Sequence, residues 1–389
     1  MKTAAIICEY NPFHNGHKYH IEQTRKQHGA THIVCVMTGN FTQRGDVALC
    51  DKYERAGAAL MSGADLVLEL PVAFSLASAE YFARGAVHII NSLGCVDMLS
   101  FGSETGNDAA LKEAAGAVHF ALESEAFLDY MKSGMSYPAA LKKTVEEYYT
   151  SDVVDILTGP NNILGVEYIR ALDMAGGTIE PVTVKRYGAA HDSDELDYTI
   201  SASKLRKMIR NGEDVTRYTD FCSYENYALI ERLETAILAK LRTMTKSDFE
   251  KLPNGGGGIE NRMVKAARTA TSLPQLMLMI KSKNFTMSRI RRLILCAFLG
   301  ITKNDLKSMP SYIRILGMND RGKEILAASK DCPLPIDTSL SALSKTSDTA
   351  GRQARLEERA GNMYALALEK RKPCGTDFTS KPIIIKENN

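Results

Sequence analysis

Three imidazoles at three-residue spacing, His14, His17 and His20, stand in the segment "YNPFHNGHKYHI" directly after the chain's first apolar run. Three chemistries are open to them. With Cys8 they offer the nitrogen and sulfur ligands that zinc takes, but a structural zinc site draws on a second ligand cluster, and the sequence supplies none. They can equally be hydrogen-bonded histidines that take part in no reaction. The third reading follows from local geometry. Asn11-Pro12 breaks the chain after a strand, Gly16 permits close backbone approach, and a helix starts near His17, so free N–H groups point outward and suit a phosphate. Residues three apart share a helix face, so His14 and His17 can both donate to one phosphoryl group and meet the charge that builds on it.

A second cationic feature lies far along the chain in "ISASKLRKMIR", residues 200–210. Ser201 or Ser203 can cap a helix whose first turn projects Lys204 and Arg206. A guanidinium takes phosphate oxygens through two parallel bonds, which suits Arg206 to a departing pyrophosphate. A capped helix with a solvated basic face is the plainer use of the same residues. Between the two features, "GNFTQRGDVALCDKYERA" carries Gln43, Arg44 and Asp46, candidates to position a small carboxylate or a nucleobase, with Asp51 placed to cap a helix.

The elements that must hold these groups alternate. "TAAIIC", "THIVCVM", "ADLVLELP", "CVDMLSFG" and "IEPVTVKR" read as strands, while "DKYERAGAALMSG" and "SAEYFARGAVHIINSLG" are apolar at helical spacing and end in glycine. This pattern predicts an α/β fold, a Rossmann-like parallel sheet covered on both faces, with ligands beyond the carboxyl ends of its strands. After about residue 215 the strand signal disappears and helical patterns follow, including "GIENRMVKAARTA", "LPQLMLMIKS" and "MSRIRRLILCAFLG". Two domains are expected, 1–215 catalytic and 216–389 all-helical, as the length of 389 residues favours. The tetraglycine Gly255–Gly258 lacks a preceding strand and a following Lys-Ser or Lys-Thr, so it reads as a helix connection rather than a phosphate loop.

Composition is that of an ordinary globular enzyme, and the formal net charge of +2 points to no partner. The distribution of charge is more telling: residues 201–300 carry roughly eighteen Lys and Arg against roughly nine Asp and Glu. No run is apolar enough for a signal peptide or a bilayer span, and the eight cysteines show no paired spacing, so a reducing, cytoplasmic setting is expected.

"HNGH" resembles the HxGH signature of the nucleotidyltransferase superfamily, whose members cleave a triphosphate at the α-phosphorus, and "ISASKLR" resembles its second signature. With "GNFTQRGDVAL", "SFGSETG", "GPNNILGVEYI" and "KRYGAAHD", the likeness extends over nearly the whole chain to the bacterial tRNA(Met) cytidine acetate ligase family. The resemblance implies an enzyme that makes acetyladenylate from ATP and acetate. It then acetylates the exocyclic amine of the wobble cytidine of elongator methionine tRNA. By position it implies that ATP is lined by Ile7, Cys8, Glu9, Tyr10, Asn11, Pro12, Phe13, His14, Asn15, Gly16, His17, Lys18, Tyr19 and His20. Gly102, Asn162, Arg186, Ser201 and Ser203 add to that site, with His14, His17, Lys204 and Arg206 catalytic. Magnesium is expected on the triphosphate, with no metal held by protein ligands alone. Lys265, Arg268, Lys281, Lys283, Arg289, Arg291 and Arg292 are the candidates for tRNA phosphates. The alternatives are a small-molecule adenylyltransferase of the same fold and an RNA-binding protein with a vestigial nucleotide site.

Overall fold

The computed structural model describes residues 1–186, 200–219, 226–253 and 255–386. Its strands, in chain order, are β1 (Thr3–Cys8), β2 (His32–Thr38), β3 (Phe41–Thr42), β4 (Asp46–Val47), β5 (Leu66–Leu70), β6 (Met98–Ser103), β7 (Glu180–Lys185), β8 (Ile313–Met318), β9 (Ile336–Asp337) and β10 (Ile383–Ile384). The five strands read from the sequence pair in parallel in the order β5-β2-β1-β6-β7. From β1 the chain runs outward through β2 to β5, then returns to the other side of β1 as β6 and continues to β7. The loops leaving β1 and β6 therefore part at the sheet's carboxyl edge, which is where an open α/β sheet offers a crevice.

These strands look continuously apolar because both of their faces are covered. Ala5 and Ile7 of β1, Val34 and Val36 of β2, and Leu66 and Leu68 of β5 enter the core shared with the helix Ala79–Ser92. The intervening Ala4, Ile6, Ile33, Cys35 and Val67 enter the opposite core, against the helices Asn15–His28 and Lys52–Met61. Strict alternation of direction with no alternation of polarity is the signature of a sheet buried on both sides.

The second half is helical through Glu234–Arg242, Ile259–Thr269, Leu273–Ile280 and Met287–Leu299, and Gly258, at φ +83°, precedes the second of these as its N-cap. It then returns to the sheet. β8 pairs antiparallel with β5, and β10 and β9 pair with β8. This return was not anticipated from the sequence, because Arg314 interrupts the apolar run of β8. The structure reconciles that charge with its burial. Arg314 Nη1 donates to Glu69 Oε2 at 2.9 Å and to Asp377 Oδ1 at 2.6 Å, and Lys52 Nζ joins both carboxylates. Two cations and two carboxylates, all four buried, compensate one another. None of the described helices is long and apolar enough to cross a membrane.

Candidate active site

His14 is the N-cap of the helix Asn15–His28, in extended backbone at φ −153°. Its Nδ1 accepts from Gly16 N–H at 3.1 Å, and His17 Nδ1 accepts from His14 N–H at 3.2 Å. The pair thus forms a reciprocal capping box from two imidazoles, with ring centroids 3.8 Å apart and planes 24° from parallel. An Nδ1 that accepts carries no hydrogen, so each neutral ring must keep its proton on Nε2, where it is a donor. Burial, with the nearby Arg186 and Arg206 cations, pushes His14 down to about 4. Burial and His14 hold His17 well below the usual imidazole range. Both are therefore neutral Nε2–H donors at ordinary pH, and tight stacking of the two rings carries no charge repulsion.

His20 has a different task. Its Nε2 lies 3.0 Å from Ser100 Oγ on β6, Thr24 Oγ1 lies 2.7 Å from the same hydroxyl, and burial brings His20 down to about 3. It ties the helix to the sheet. The remainder of Ile7–His20 divides similarly: Ile7, Cys8, Tyr10, Pro12 and Phe13 are buried, with Tyr10 against Cys35, while Lys18 is exposed and Tyr19 half-buried.

The second cationic feature arrives at the same place. Ser201 caps the helix Ala202–Arg210 by accepting from Lys204 N–H at 3.3 Å, and Lys204 is exposed in its first turn. Arg206 reaches across to donate through Nη1 to the Asn11 carbonyl at 2.6 Å, and through Nη2 to Ser203 Oγ at 3.2 Å. Asn15 completes the junction: its backbone N–H donates to the Tyr218 carbonyl and its Nδ2 to the Arg217 carbonyl, each at 3.0 Å.

The strand ends supply the rest. Gly102 near the end of β6 lies against Arg186: a Cβ there would sit 3.0 Å from Arg186 Cγ and crowd that side chain. Arg186 directly follows β7 and feels Glu104 and Arg44. Asn162 is buried, and its Oδ1 accepts from Glu104 N–H at 2.9 Å and Thr105 N–H at 3.3 Å, which commits its carbonyl to shaping the loop after β6. The possible pairing of Arg186 with Asp192 or Asp194 lies outside the described residues.

In the turn between β3 and β4, Gln43 donates its backbone N–H to Glu9 Oε1 at 2.6 Å. Burial raises the Glu9 carboxyl against the opposing pull of Gln43, Arg44 and Arg206. Burial likewise raises Asp46, opposed by Arg206, so Glu9, Arg44, Asp46 and Arg206 share one electrostatic neighbourhood. Asp51 caps the helix Lys52–Met61, accepting from Tyr53 N–H.

Two supporting residues escaped the sequence reading. Arg55, wholly buried, donates to the carbonyls of Glu9 at 2.5 Å, Thr38 at 3.2 Å and Cys50 at 3.0 Å, and to that of Gly39, lacing together the carboxyl ends of β1 and β2. Its one signal was a lone arginine among the small residues of "KYERAGAAL". Glu104 accepts from the Asn161 and Asn162 N–H groups at 3.1 and 2.8 Å at the N-terminus of the helix Pro160–Ala175; burial pushes its pKa up, but these bonds together outweigh that and hold it below the ordinary carboxylate value. No local spacing announces it.

Among the basic residues of the second half, Lys265, Arg268, Lys283 and Arg291 are exposed. Lys281 is exposed too, but its ammonium donates to the Phe285 carbonyl at 2.7 Å. Arg289 is half-buried, its guanidinium 5.1 Å from the Phe285 ring centroid, and Arg292, also half-buried, donates to the Gln43 carbonyl at 3.1 Å.

Among the described residues no three His, Cys, Asp or Glu side chains converge as metal ligands. What the edge assembles is a set of neutral donors, helix N-termini and fixed cations in one electrostatic neighbourhood, an arrangement suited to a polyphosphate.

Residues 1–377 match the model of the HIGH Nucleotidyl Transferase family. A tRNA(Met) cytidine acetate ligase of Acetivibrio thermocellus is 35% identical over 417 residues, covering 99% of this chain and 100% of that protein. One of Alkaliphilus metalliredigens is 35% identical over 402 residues, covering 95% of each. Among solved structures, Thermotoga maritima TmcAL bound with alpha-thio ATP is similar at a TM-score of 0.91 and 32% identity, covering 99% of this chain and 100% of that one.

Proposed function

Because this chain belongs to the HIGH nucleotidyl transferase family, and within it to the tRNA(Met) cytidine acetate ligases, we propose that it activates acetate with ATP and passes the acetyl group to the exocyclic amine of the wobble cytidine of elongator methionine tRNA. The observation that carries this reading is the junction of Arg206 with Asn11, which brings the helix Ala202–Arg210 onto the histidine turn.

In the first step an acetate oxygen attacks the α-phosphorus of ATP in line, and the bond from that phosphorus to the bridging oxygen breaks, releasing pyrophosphate. Acetate is already ionised at neutral pH, so no general base is required. His14 and His17 supply Nε2–H donors to the phosphoryl oxygens, together with the backbone N–H groups of the helix start; Lys204 and Arg206 attend the leaving pyrophosphate. Neutral donors suit this task because they stabilise growing negative charge without having to lose a proton. Asn162 and Arg186 complete the ATP site, and Gln43, Arg44 and Asp46 face acetate or the incoming cytidine. In the second step the cytidine amine attacks the acetyl carbon, the carbon–oxygen bond to phosphate breaks, AMP leaves, and the amine gives up a proton.

Magnesium fits as a companion of the triphosphate. With no converging protein ligands among the described residues, phosphate oxygens and water would hold it, with at most one or two carboxylates such as Glu9 or Asp46. Bound there it would shield the triphosphate's charge.

Residues 1–215 carry the nucleotide chemistry and 216–389 the RNA surface, a division of labour within one continuous sheet. The exposed Lys265, Arg268, Lys283 and Arg291 are the foremost phosphate contacts, with Lys281 and Arg289 behind them. A cytoplasmic setting accords with the free thiols of Cys8, Cys35, Cys95, Cys296, Cys332 and Cys374. Acetate-dependent exchange of pyrophosphate into ATP tests the first step, and mass spectrometry of tRNA nucleosides after incubation with ATP and acetate tests the second. Exchange that ignores acetate would point instead to adenylyl transfer onto a small molecule.

A further inference from the structure

The helix Met287–Leu299 sends one guanidinium to the turn beside the nucleotide site. Arg292 Nη1 donates to the Gln43 carbonyl at 3.1 Å, and the Gln43 N–H donates to Glu9 Oε1 at 2.6 Å. Glu9 directly follows β1 and stands in the field of Arg44 and Arg206. A second contact fixes the same turn. Gly45 lies so close to the helix that a Cβ would meet Arg291 Cβ at 2.5 Å and Arg292 N at 2.7 Å, and its φ of +77° favours glycine independently.

We propose that Arg292 is a positioning residue for acetate activation rather than a contact to RNA: it pins the turn whose Gln43 amide fixes the Glu9 carboxylate beside the triphosphate. The proposal rests on the acetate-activating reading. A phosphate ligand must present its donors to solvent, whereas this guanidinium is half-buried and already directed at a carbonyl. A carbonyl acceptor also makes the hold independent of the side chain at position 43. The exposed neighbour Arg291, one residue away, keeps the outward role, so adjacent arginines serve the two substrates separately.

The test uses the full-length protein and two variants, Arg292→Met and Arg292→Lys. Without tRNA, Arg292→Met is expected to lose about 10²-fold in kcat/KM for acetate-dependent pyrophosphate exchange, the scale of an ångström-sized misplacement. Arg292→Lys, which reaches the same carbonyl with one donor, recovers most of that loss. The tRNA affinity of both, and its dependence on salt, match the wild type. Wild-type exchange in Arg292→Met together with weakened tRNA binding overturns the proposal. Should Arg292→Met fail to fold, Arg292→Lys carries the test: it keeps the wild-type tRNA affinity and salt dependence, and weakened tRNA binding with wild-type exchange overturns the proposal. A wild-type protein whose exchange ignores acetate sinks the acetate reading instead. In that event loss of ATP affinity in Arg292→Met, measured by calorimetry, still supports the positioning role, and unchanged affinity refutes it.

Discussion

Arg206 Nη1 lies 2.6 Å from the carbonyl oxygen of Asn11, closing a contact between residues 195 positions apart. One arm of the guanidinium is held by backbone while Ser203 holds another, so its orientation is set before any nucleotide arrives. Arg206→Ala should therefore weaken ATP by about tenfold to hundredfold, the range of a charged hydrogen bond lost. Arg206→Lys should fall between, having charge without the fork. Calorimetric titration of ATP checks both, and equal affinities across the three proteins would remove Arg206 from the site.

His14 combines a structural and a chemical duty, and the two are separable. Asparagine is as good an N-cap as any residue, so His14→Asn should keep the wild-type melting temperature while losing the Nε2–H donor. His14→Ala should lose both, with about 1 kcal/mol of stability gone as well. Both variants should slow acetate-dependent exchange by about 10²- to 10³-fold, the effect of removing one preorganised donor. Thermal melts and exchange rates measured side by side distinguish the duties.

Acidity offers a third check. His14 titrates at about 4 and His20 at about 3 in the folded chain, both displaced mainly by burial from an unfolded value of about 6.5. Below about pH 6.5 the unfolded chain takes up protons that the folded chain refuses, so unfolding is favoured as pH drops. The stabilisation is whole above about pH 6.5 and drains away down to about pH 4 for His14 and about pH 3 for His20. Urea midpoints should fall between about pH 7 and about pH 4.5, with a shallower fall in His20→Gln. Exchange kinetics should meanwhile stay level from about pH 6 to about pH 8, because both catalytic rings are already neutral. A rise toward acid, following an imidazole near its ordinary value, would mean that a cationic ring is the active form.

The RNA surface should announce itself through salt. Removing the exposed pair Lys283 and Arg291 together should reduce the slope of log affinity against log salt by about 0.7–0.9 per charge, leaving tRNA-free exchange as it was. Filter binding of methionine tRNA over a salt series measures it. An unchanged slope would place the RNA elsewhere.

What could be read directly from the chain was whatever is local. The histidine turn, the serine-capped basic helix and five parallel strands each declare themselves within a dozen residues, through periodicity, a breaker or a cap. What could not be read was partnership. Arg292 looks identical to Arg291 in the string, and only the turn 249 residues earlier distinguishes them. Glu104 becomes informative only against Asn161 and Asn162, 57 and 58 residues on. His20 shares the spacing of His14 and His17 in the string, yet Ser100 claims its ring. β8 was missed because a strand that carries a fully buried arginine has no hydrophobic signature until its two carboxylates are seen.

That strand has a bearing on how the enzyme is made. Arg314 reaches Glu69 over 245 residues and Asp377 meets Lys52 over 325, so a nascent polypeptide that has emerged from the ribosome only through β7 still presents β5 with a bare edge, its Glu69 held by Lys52 without Arg314. Unpaired edges of this kind invite wrong partners. That edge of β5 can close only once β8 has been made. A fragment ending at residue 215 would hold every nucleotide-facing group named above and still lack the seam that lets them assemble.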